Sequence, residues 1–256
     1  MRILLPPSEA KQPGGRGRPL GRRSRTRQLD RDADVVLAAL ARLLEQPEAA
    51  EKLKLPASVA EAALAANAAV LTGPTRPAIE RYCGVVYEGL AVAALSPAAR
   101  RRADRDVLIF SGLFGVVRGG DPVPDYRLPA KAVLPGIGVA GTYWRPRLTE
   151  QLPSLLGPEP ILDLRSADYA AMWQPARGSA EAGRRIVVRI LSATPSGRLA
   201  VVSYNSKLAK GRLAAAVLER EAGGTPVRTG EDIAELWRQL GGTSATAAGP
   251  AVELIE

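Results

Sequence analysis

Short, continuous apolar runs alternate with segments of helical periodicity along most of the chain. Such runs are typical of strands that are buried on both faces of a sheet, and helices between them favour parallel pairing. The sequence therefore predicts an α/β (α+β) protein with a mixed sheet flanked by helices. The predicted strands are 1–7, 107–110, 160–164, 185–191, 199–204 and 251–255, and the main predicted helices are 33–46, 97–104, 142–156, 166–173, 206–220 and 229–239.

Two segments near the start interrupt this alternation. Residues 11–28 contain seven basic residues, no acidic residue and several Gly and Pro, so we expect a mobile cationic loop that packs no core. Asp32 is predicted to cap the helix that follows. Residues 48–71 contain two short helical pieces separated by Pro56, which predicts a helical hairpin. No repeat or domain boundary is visible, so residues 1–256 are expected to form a single domain.

The charge of the chain indicates which partners to expect. The formal net charge is +9, and a strongly basic chain favours polyanions such as nucleic acid or ligands that carry phosphate. A merely basic, solvated surface is the alternative, because the many Arg and Ala residues resemble a GC-rich coding bias. No apolar stretch is long enough to span a bilayer, and the first residues do not form a signal peptide. We therefore expect a cytoplasmic protein without a membrane partner.

Residue types that are rare here exclude several kinds of site. The chain has no His and a single Cys, which excludes the usual zinc sites, Ser-His and Cys-His pairs and an intramolecular disulfide. Cys83 is predicted to be a packing residue. The spacing S-G-x-x-G that begins at Ser111 matches neither of the common nucleotide-binding patterns. We predict no cofactor and no metal site.

Four predicted strand ends combine polar side chains with small residues. Ligands collect at the carboxyl ends of strands in open α/β sheets, so we expect one shared pocket. Its cations could hold an anion, while a carboxylate or a desolvated Lys could transfer protons. The candidates for catalysis are Lys11, Asp163 and Lys207, and the candidates for binding a small anionic ligand are Ser8, Glu9, Ser111, Gly112, Arg118, Tyr126, Arg127, Ser166 and Lys210.

These candidates also have structural interpretations. The serines can cap helices, and Gly112 can allow a turn or close packing. Lys207 can be a surface charge, but the helix dipole disfavours a cation in a first turn, which favours a functional role.

The stretch that follows the 107–110 strand is the densest group of candidates. We predict that Arg118 and Arg127 form one wall of an anion-binding cleft, with Tyr126 available for stacking. The alternative is that Arg127 pairs with Asp121 or Asp125 on the surface.

Seven motifs occur in the order seen in the YaaA family of bacterial peroxide stress proteins, and they span nearly the whole chain. They are RILLPPSEAK, YEGL, SGLFGVVR, DYRLP, YW, ILDLRSADY and SYNSKLAKGR. The sequence thus resembles a member of this family. The resemblance implies a single-domain YaaA-like fold with a positively charged cleft and binding of double-stranded DNA through a helix-hairpin-helix element. It also implies a part in iron homeostasis, in which unincorporated iron and its Fenton damage are limited.

The hairpin at 48–71 corresponds to the DNA-binding element that the resemblance implies. The family's hairpin usually has a Gly-x-Gly turn that holds a phosphate, whereas KLKLPASVAEA has no Gly. We therefore expect sequence-independent contacts with DNA phosphates from the cleft and the basic loop. The loop residues assigned to this contact are Arg16, Arg18, Arg22, Arg23, Arg25 and Arg27.

Three hypotheses of function follow from the sequence. The first is a DNA-binding peroxide stress protein. The second is an enzyme that acts on a small anionic or nucleobase-containing substrate, with Lys11, Asp163 or Lys207 as acid, base or nucleophile. The third, which we rank last, is metal binding by the carboxylates of Glu9, Asp163 and Asp168.

Overall fold

The computed structural model describes residues 1–22, 28–193, 199–200, 202–248 and 251–255. Within these residues the helices are α1 (Gln28–Leu44), α2 (Ala49–Lys52), α3 (Ala57–Ala68), α4 (Ala78–Arg81), α5 (Val85–Leu90), α6 (Pro97–Asp106), α7 (Ala140–Leu156), α8 (Ala167–Ala170), α9 (Ala180–Gly183), α10 (Ser203–Ala222) and α11 (Gly230–Gln239), with 3-10 turns at Leu20–Arg22 and Val92–Ala94. The strands are β1 (Arg2–Leu5), β2 (Arg76–Pro77), β3 (Val107–Ser111), β4 (Gly115–Arg118), β5 (Pro122–Val123), β6 (Val133–Leu134), β7 (Gly138–Val139), β8 (Ile161–Asp163), β9 (Arg185–Ala193), β10 (Leu199–Ala200), β11 (Ser244–Ala248) and β12 (Ala251–Ile255).

The main sheet is mixed and has the strand order β11-β12-β9-β8-β1-β3-β4, with β10 paired to β9. The strands from β12 to β3 are parallel to one another, whereas β11 and β4 are antiparallel edge strands. Two smaller pairs, β2 with β5 and β6 with β7, lie apart from it. This arrangement confirms the predicted α/β (α+β) class with a mixed sheet flanked by helices.

The core lies at the centre of the sheet. Every residue of β3 and β8 is buried, as are Ile3, Leu4 and Leu5 of β1. Consecutive residues of a strand point to opposite faces, so both faces are covered here. In β9 and β12, exposed residues such as Val187 and Glu253 alternate with buried neighbours. The prediction that the 185–191 strand is buried on both faces is therefore wrong, because no described segment covers one face of β9.

Helices α1 and α7 contact each other, and both contact β4. Asp32 lies inside α1, where its carboxylate accepts hydrogen bonds from Arg147 (3.3 Å) and Gln151 (2.9 Å) of α7. The predicted cap at Asp32 is therefore wrong, because α1 already begins at Gln28.

The structure differs from the prediction in two places near the end of the chain. The sequence predicts a strand at 199–204, but β10 is Leu199–Ala200, residue 201 lies outside the described residues, and α10 begins at Ser203. Strand β10 is also antiparallel to β9 and therefore is not a further parallel strand. Strand β11 is not among the strands that the apolar pattern predicts.

Candidate functional site

The carboxyl ends of the parallel strands meet at one edge of the sheet. Leu5 pairs with Ile109, and Leu4 pairs with Asp163, so β1, β3 and β8 end side by side. The segments that follow these strands bring Ser8 and Ser166 to the same edge. The sequence predicts this meeting of strand ends correctly, and we call this side of the sheet the carboxyl edge.

A cavity of about 450 Å³ opens at the carboxyl edge. Its walls come from the segment after β1, the start of α5, the segment after β8 and the first two turns of α10. We call it the carboxyl-edge cavity. It is lined by residues 6–10 and 83–87 together with Leu164, Ser166, Asp168, Lys207 and Lys210.

Two glycines bring α5 and α10 close enough to form one side of this cavity. A Cβ atom on Gly211 of α10 would lie 2.0 Å from the Val86 carbonyl oxygen, and a Cβ atom on Gly89 of α5 would lie 2.1 Å from the Leu208 carbonyl oxygen. Only glycine fits at either position, so the backbones of the two helices touch. This role was not predicted for Gly89 or Gly211, although the two residues occur in the motifs YEGL and SYNSKLAKGR.

The carboxylates of the carboxyl-edge cavity are engaged by cations that do not line it. Glu9 pairs with Arg127 (Nε to Oε2, 3.4 Å), and Asp168 pairs with Lys131 (2.9 Å). Arg127 thus contacts Glu9 and does not form the ion pair with Asp121 or Asp125 that was the alternative. The cavity therefore keeps little negative charge of its own.

The remaining polar groups of the cavity are mainly donors. Lys210 donates to the Arg165 carbonyl oxygen at 3.3 Å, and burial lowers its pKa. Lys207 is exposed and has no carboxylate partner within the described part of the chain. Ser166 immediately precedes α8, but its hydroxyl group does not cap the helix. The hydroxyl group makes no hydrogen bond to a described residue.

Lys11 lies beside the carboxyl-edge cavity but does not line it. Its ammonium group donates to the carbonyl oxygens of Ser8 (3.1 Å) and Glu9 (3.4 Å). It also lies over the rings of Tyr126 (4.3 Å from the centroid) and Tyr82 (5.3 Å). Burial lowers the pKa of Lys11 to about 8, although the charge of Glu9 opposes this effect.

A buried row of hydroxyl groups runs beneath Lys11. The Ser111 Oγ and Tyr126 hydroxyl oxygens are 2.6 Å apart, and the Tyr126 and Tyr82 hydroxyl oxygens are 2.7 Å apart. Burial raises the pKa of Tyr82 to about 12 and that of Tyr126 well above its ordinary value. Ser111 also accepts from the amides of the turn that follows β3. Tyr126 is only 2 % exposed, so the prediction that it is available for stacking is wrong.

Arg118 lies away from the predicted cleft, and Gly112 fits its structural interpretation. Strand β4 runs antiparallel to β3 and pairs Arg118 with Leu108, which places Arg118 at the opposite edge of the sheet. The prediction that Arg118 shares a cleft with Arg127 is therefore wrong. A Cβ atom on Gly112 would lie 2.3 Å from the Leu128 carbonyl oxygen, so this glycine allows close packing.

Asp163 is enclosed beneath the carboxyl edge by two arginines. Its carboxylate is 2.6 Å from Arg165 Nη2 and 2.7 Å from Arg185 Nη2, and it does not line the cavity. Burial alone would raise the pKa of Asp163, but the hydrogen bonds and charge of Arg165, followed by the charge of Arg185, hold it below its ordinary value. Asp163 is thus placed as a structural ion-pair partner.

The described part of the basic loop, residues 11–22, is anchored along residues 71–82. The amides of Gly17 and Gly21 donate to carbonyl oxygens of this segment at 2.9 and 3.0 Å. Arg81 is fully buried. Its guanidinium donates to the carbonyl oxygens of Gln12, Gly14, Pro74 and Val123. The expectation of a mobile loop that packs no core is therefore wrong for residues 11–22, which are hydrogen-bonded to neighbouring segments and bury Leu20.

Two arginines of this loop, Arg16 and Arg18, face solvent. The side chains of Arg16 and Arg18 are exposed and form no ion pair with any residue that the structure describes. The other arginines that we assigned to DNA have side chains outside the described residues, namely Arg22, Arg23, Arg25 and Arg27.

Helices α2 and α3 occupy the predicted hairpin region and are joined by residues 53–56. Lys54 in this link has a φ of 56°, a conformation that favours glycine. The buried Asn67 of α3 exchanges two hydrogen bonds with the backbone of Arg127, at 3.0 and 2.8 Å. The hairpin is therefore attached to the segment that also provides the ion-pair partner of Glu9.

The described residues contain neither a cluster of metal ligands nor a helix that could span a membrane. They contain no group of three or more Cys, Asp and Glu side chains arranged to hold a metal ion. None of the helices in the same residues combines the length and the apolar character needed to cross a bilayer.

Comparison with known proteins agrees with the family resemblance that the motifs indicate. The family model described as peroxide stress protein YaaA matches residues 1–234. A UPF0246 protein of Streptomyces coelicolor is 41% identical over 244 residues, which are 94% of this chain and 90% of the relative. UPF0246 proteins of Corynebacterium efficiens and Corynebacterium glutamicum are 36% and 34% identical and cover 95% and 99% of this chain, and 94% and 95% of their own. The chain therefore belongs to the peroxide stress protein YaaA family.

Proposed function

We propose that this protein acts in the peroxide stress response by binding double-stranded DNA without sequence preference. The observation that carries the proposal is the anchored loop with Arg16 and Arg18, whose side chains are exposed and unpaired among the described residues. A loop held in place by Arg81 loses little conformational entropy when it binds. The proposal places the protein in the cytoplasm, where bacterial DNA lies.

The surroundings of Arg16 are suited to a phosphate group. A polar cavity of about 440 Å³ lies between the loop and β2, and its lining shares no residue with the carboxyl-edge cavity. Arg16 and Arg76 provide its cations, and Glu80 in its lining is already paired with Arg100 at 2.6 Å. The net charge of +9 would also steer the protein towards DNA.

Binding of this kind would reduce Fenton damage to DNA. Arginine side chains that neutralise phosphates release the cations condensed around DNA. Fe²⁺ is among the cations that such binding would displace. We propose that the protein limits iron-dependent damage by removing iron from the DNA surface.

Duplex binding measured across a salt series tests the proposal. We expect appreciable affinity that falls steeply with salt, and a slope smaller in magnitude by about two for the double variant Arg16→Gln/Arg18→Gln, since each phosphate contact contributes about 0.9. The control is Arg177→Gln/Arg228→Gln, which removes the same charge from two other exposed arginines. Negligible binding at physiological salt, or equal losses in both double variants, would overturn the proposal.

A second candidate function is catalysis on a small anionic or nucleobase-containing substrate. The observation that favours it is Lys11, because a pKa of about 8 leaves part of its amine neutral near physiological pH. Lys11 would act as base or nucleophile, and Lys207 would hold the anion. Asp163 has no part in this proposal, since two arginines engage its carboxylate. Product analysis after incubation with nucleosides and small organic phosphates tests it, and turnover that persists in Lys11→Met would contradict it.

A further inference from the structure

The carboxyl-edge cavity presents hydrogen-bond donors whose natural complement is an oxyanion. Lys207, Lys210 and Ser166 line it, and none of the three has a carboxylate partner among the described residues. The carboxylates in the same lining, Glu9 and Asp168, are paired with Arg127 and Lys131 from outside it. The unmatched charge in the cavity is therefore positive.

The rest of the lining is suited to an uncharged body of limited size. Pro6, Pro7, Val85, Val86 and Leu164 provide apolar walls. The Ser8 hydroxyl is already satisfied, because it donates to the Ala10 carbonyl oxygen and accepts from the Cys83 amide. A volume of about 450 Å³ lies in the range of about 300–1,000 Å³ that small-molecule sites occupy.

We propose that the carboxyl-edge cavity binds a phosphate monoester, with the phosphate at Lys207, Lys210 and Ser166 and a compact, uncharged body against the apolar walls. Two ammonium groups and a hydroxyl group come from two different chain segments and match the three terminal oxygens of a monoester. A phosphate monoester carries a charge of about −1.5 to −2 near neutral pH, so it balances two ammonium groups better than a carboxylate with a single charge.

A phosphate monoester can come from two sources. It can belong to a free metabolite such as a mononucleotide, or it can be the terminal phosphate of a broken nucleic acid strand. Both present the same group to the cavity. The proposal does not rest on duplex binding through the basic loop, because different residues carry the two proposals.

Calorimetric titration of the full chain with matched probes tests the proposal. The probes are adenosine 5′-monophosphate, adenosine, inorganic phosphate, and a short single-stranded oligonucleotide with and without a 5′-phosphate. The variants are Lys210→Met, Lys207→Met and Ser166→Asp, and Lys52→Met serves as a control that removes one positive charge on α2. Circular dichroism checks that each variant is folded. If Lys210→Met does not fold, Lys207→Met still tests the proposal, because Lys207 is exposed and its replacement should leave the fold intact.

We expect a phosphorylated probe to bind, its unphosphorylated counterpart to bind at least about tenfold more weakly, and either lysine variant to lose about tenfold in affinity. Ser166→Asp should abolish binding, and Lys52→Met should leave it unchanged. Binding of the mononucleotide assigns the site to a free metabolite, whereas binding of the 5′-phosphorylated oligonucleotide alone assigns it to strand ends. Equal binding with and without phosphate, unchanged affinity in the folded lysine variants, or no binding of any phosphorylated probe at millimolar concentration would overturn the proposal. Duplex binding is expected to persist in Lys210→Met, so failure here is separable from failure of the DNA proposal.

Discussion

At the scale of single residues, Lys11 is set apart by what surrounds its ammonium group. Two tyrosine rings and two carbonyl oxygens take the place of water, and no described carboxylate lies within ion-pair distance. The rings offset part of the desolvation through cation-π contacts. This environment favours the neutral amine relative to an exposed lysine, and the consequence for stability can be measured.

We expect the stability that Lys11 contributes to rise with pH. Below pH 8 the side chain is charged in the folded and the unfolded chain, and between about 8 and 10.5 the folded chain binds fewer protons than the unfolded chain. The free energy of unfolding of the natural sequence should therefore gain about 1–3 kcal/mol relative to Lys11→Met across this window. Urea unfolding of both proteins at several pH values measures the difference. Parallel pH profiles of the two proteins would contradict the prediction.

Asp163 is expected to matter for stability. Asp163→Asn leaves the buried Arg165 guanidinium without its carboxylate and should lower the free energy of unfolding by about 3–5 kcal/mol. Asp168→Asn is the matched control, because the ion pair of Asp168 with Lys131 is about half exposed or more and should change stability by less than about 1 kcal/mol. Chemical unfolding of the two variants measures both values. Similarly small losses of unfolding free energy in both variants would show that the buried ion pair contributes little to stability.

At the scale of elements, the close contact of α5 and α10 decides where Lys207 and Lys210 lie. Gly211→Ala would place a methyl group 2.0 Å from the Val86 carbonyl oxygen, so α10 must move. We expect a loss of about 1–3 kcal/mol in unfolding free energy and weaker binding of any ligand of the carboxyl-edge cavity. Thermal unfolding and titration measure these effects.

Gly183→Ala is the control for this prediction. It adds the same methyl group at the end of α9, where no atom lies within 4 Å. Stability should stay constant or increase slightly there, since Ala favours helix. If Gly211→Ala behaved like Gly183→Ala, the contact of α5 with α10 would not be as close as described.

Most elements could be predicted because their periodicity is local. The apolar runs at 107–110 and 160–164 correspond to β3 and β8, and the predicted helix at 142–156 corresponds to α7. The meeting of Ser8 and Ser166 followed from parallel pairing alone. Arg118 could not be placed, because its position depends on the antiparallel return of β4, and a tight turn sends the chain to the opposite edge within a few residues. The anchoring of the basic loop depends on Arg81, a distant residue that gives no local signal.

At the scale of the whole molecule, Arg118 and the carboxyl-edge cavity lie at opposite ends of the sheet strands. Arg118 donates to the Arg105 carbonyl oxygen (2.8 Å) at the edge opposite the carboxyl-edge cavity. Arg118→Ala should therefore leave ligand binding at that cavity unchanged in a folded protein. Arg127→Ala should alter it, because Glu9 loses its partner. Titration of both variants with the same ligand measures the contrast, and weaker binding in Arg118→Ala would show that the edges communicate.

The central position of β1 also affects how the chain is made. Ile3 pairs with Val107, and Leu4 pairs with Asp163, so neither neighbour of β1 exists when β1 leaves the ribosome. At a synthesis rate of about 5–20 residues per second, residue 163 follows roughly 10–30 s later. For that time an apolar segment remains without the strands that will bury it, which is a hazard for aggregation. The topology that places Ser8 at the carboxyl edge thus delays the burial of β1 until segments far along the chain have been made.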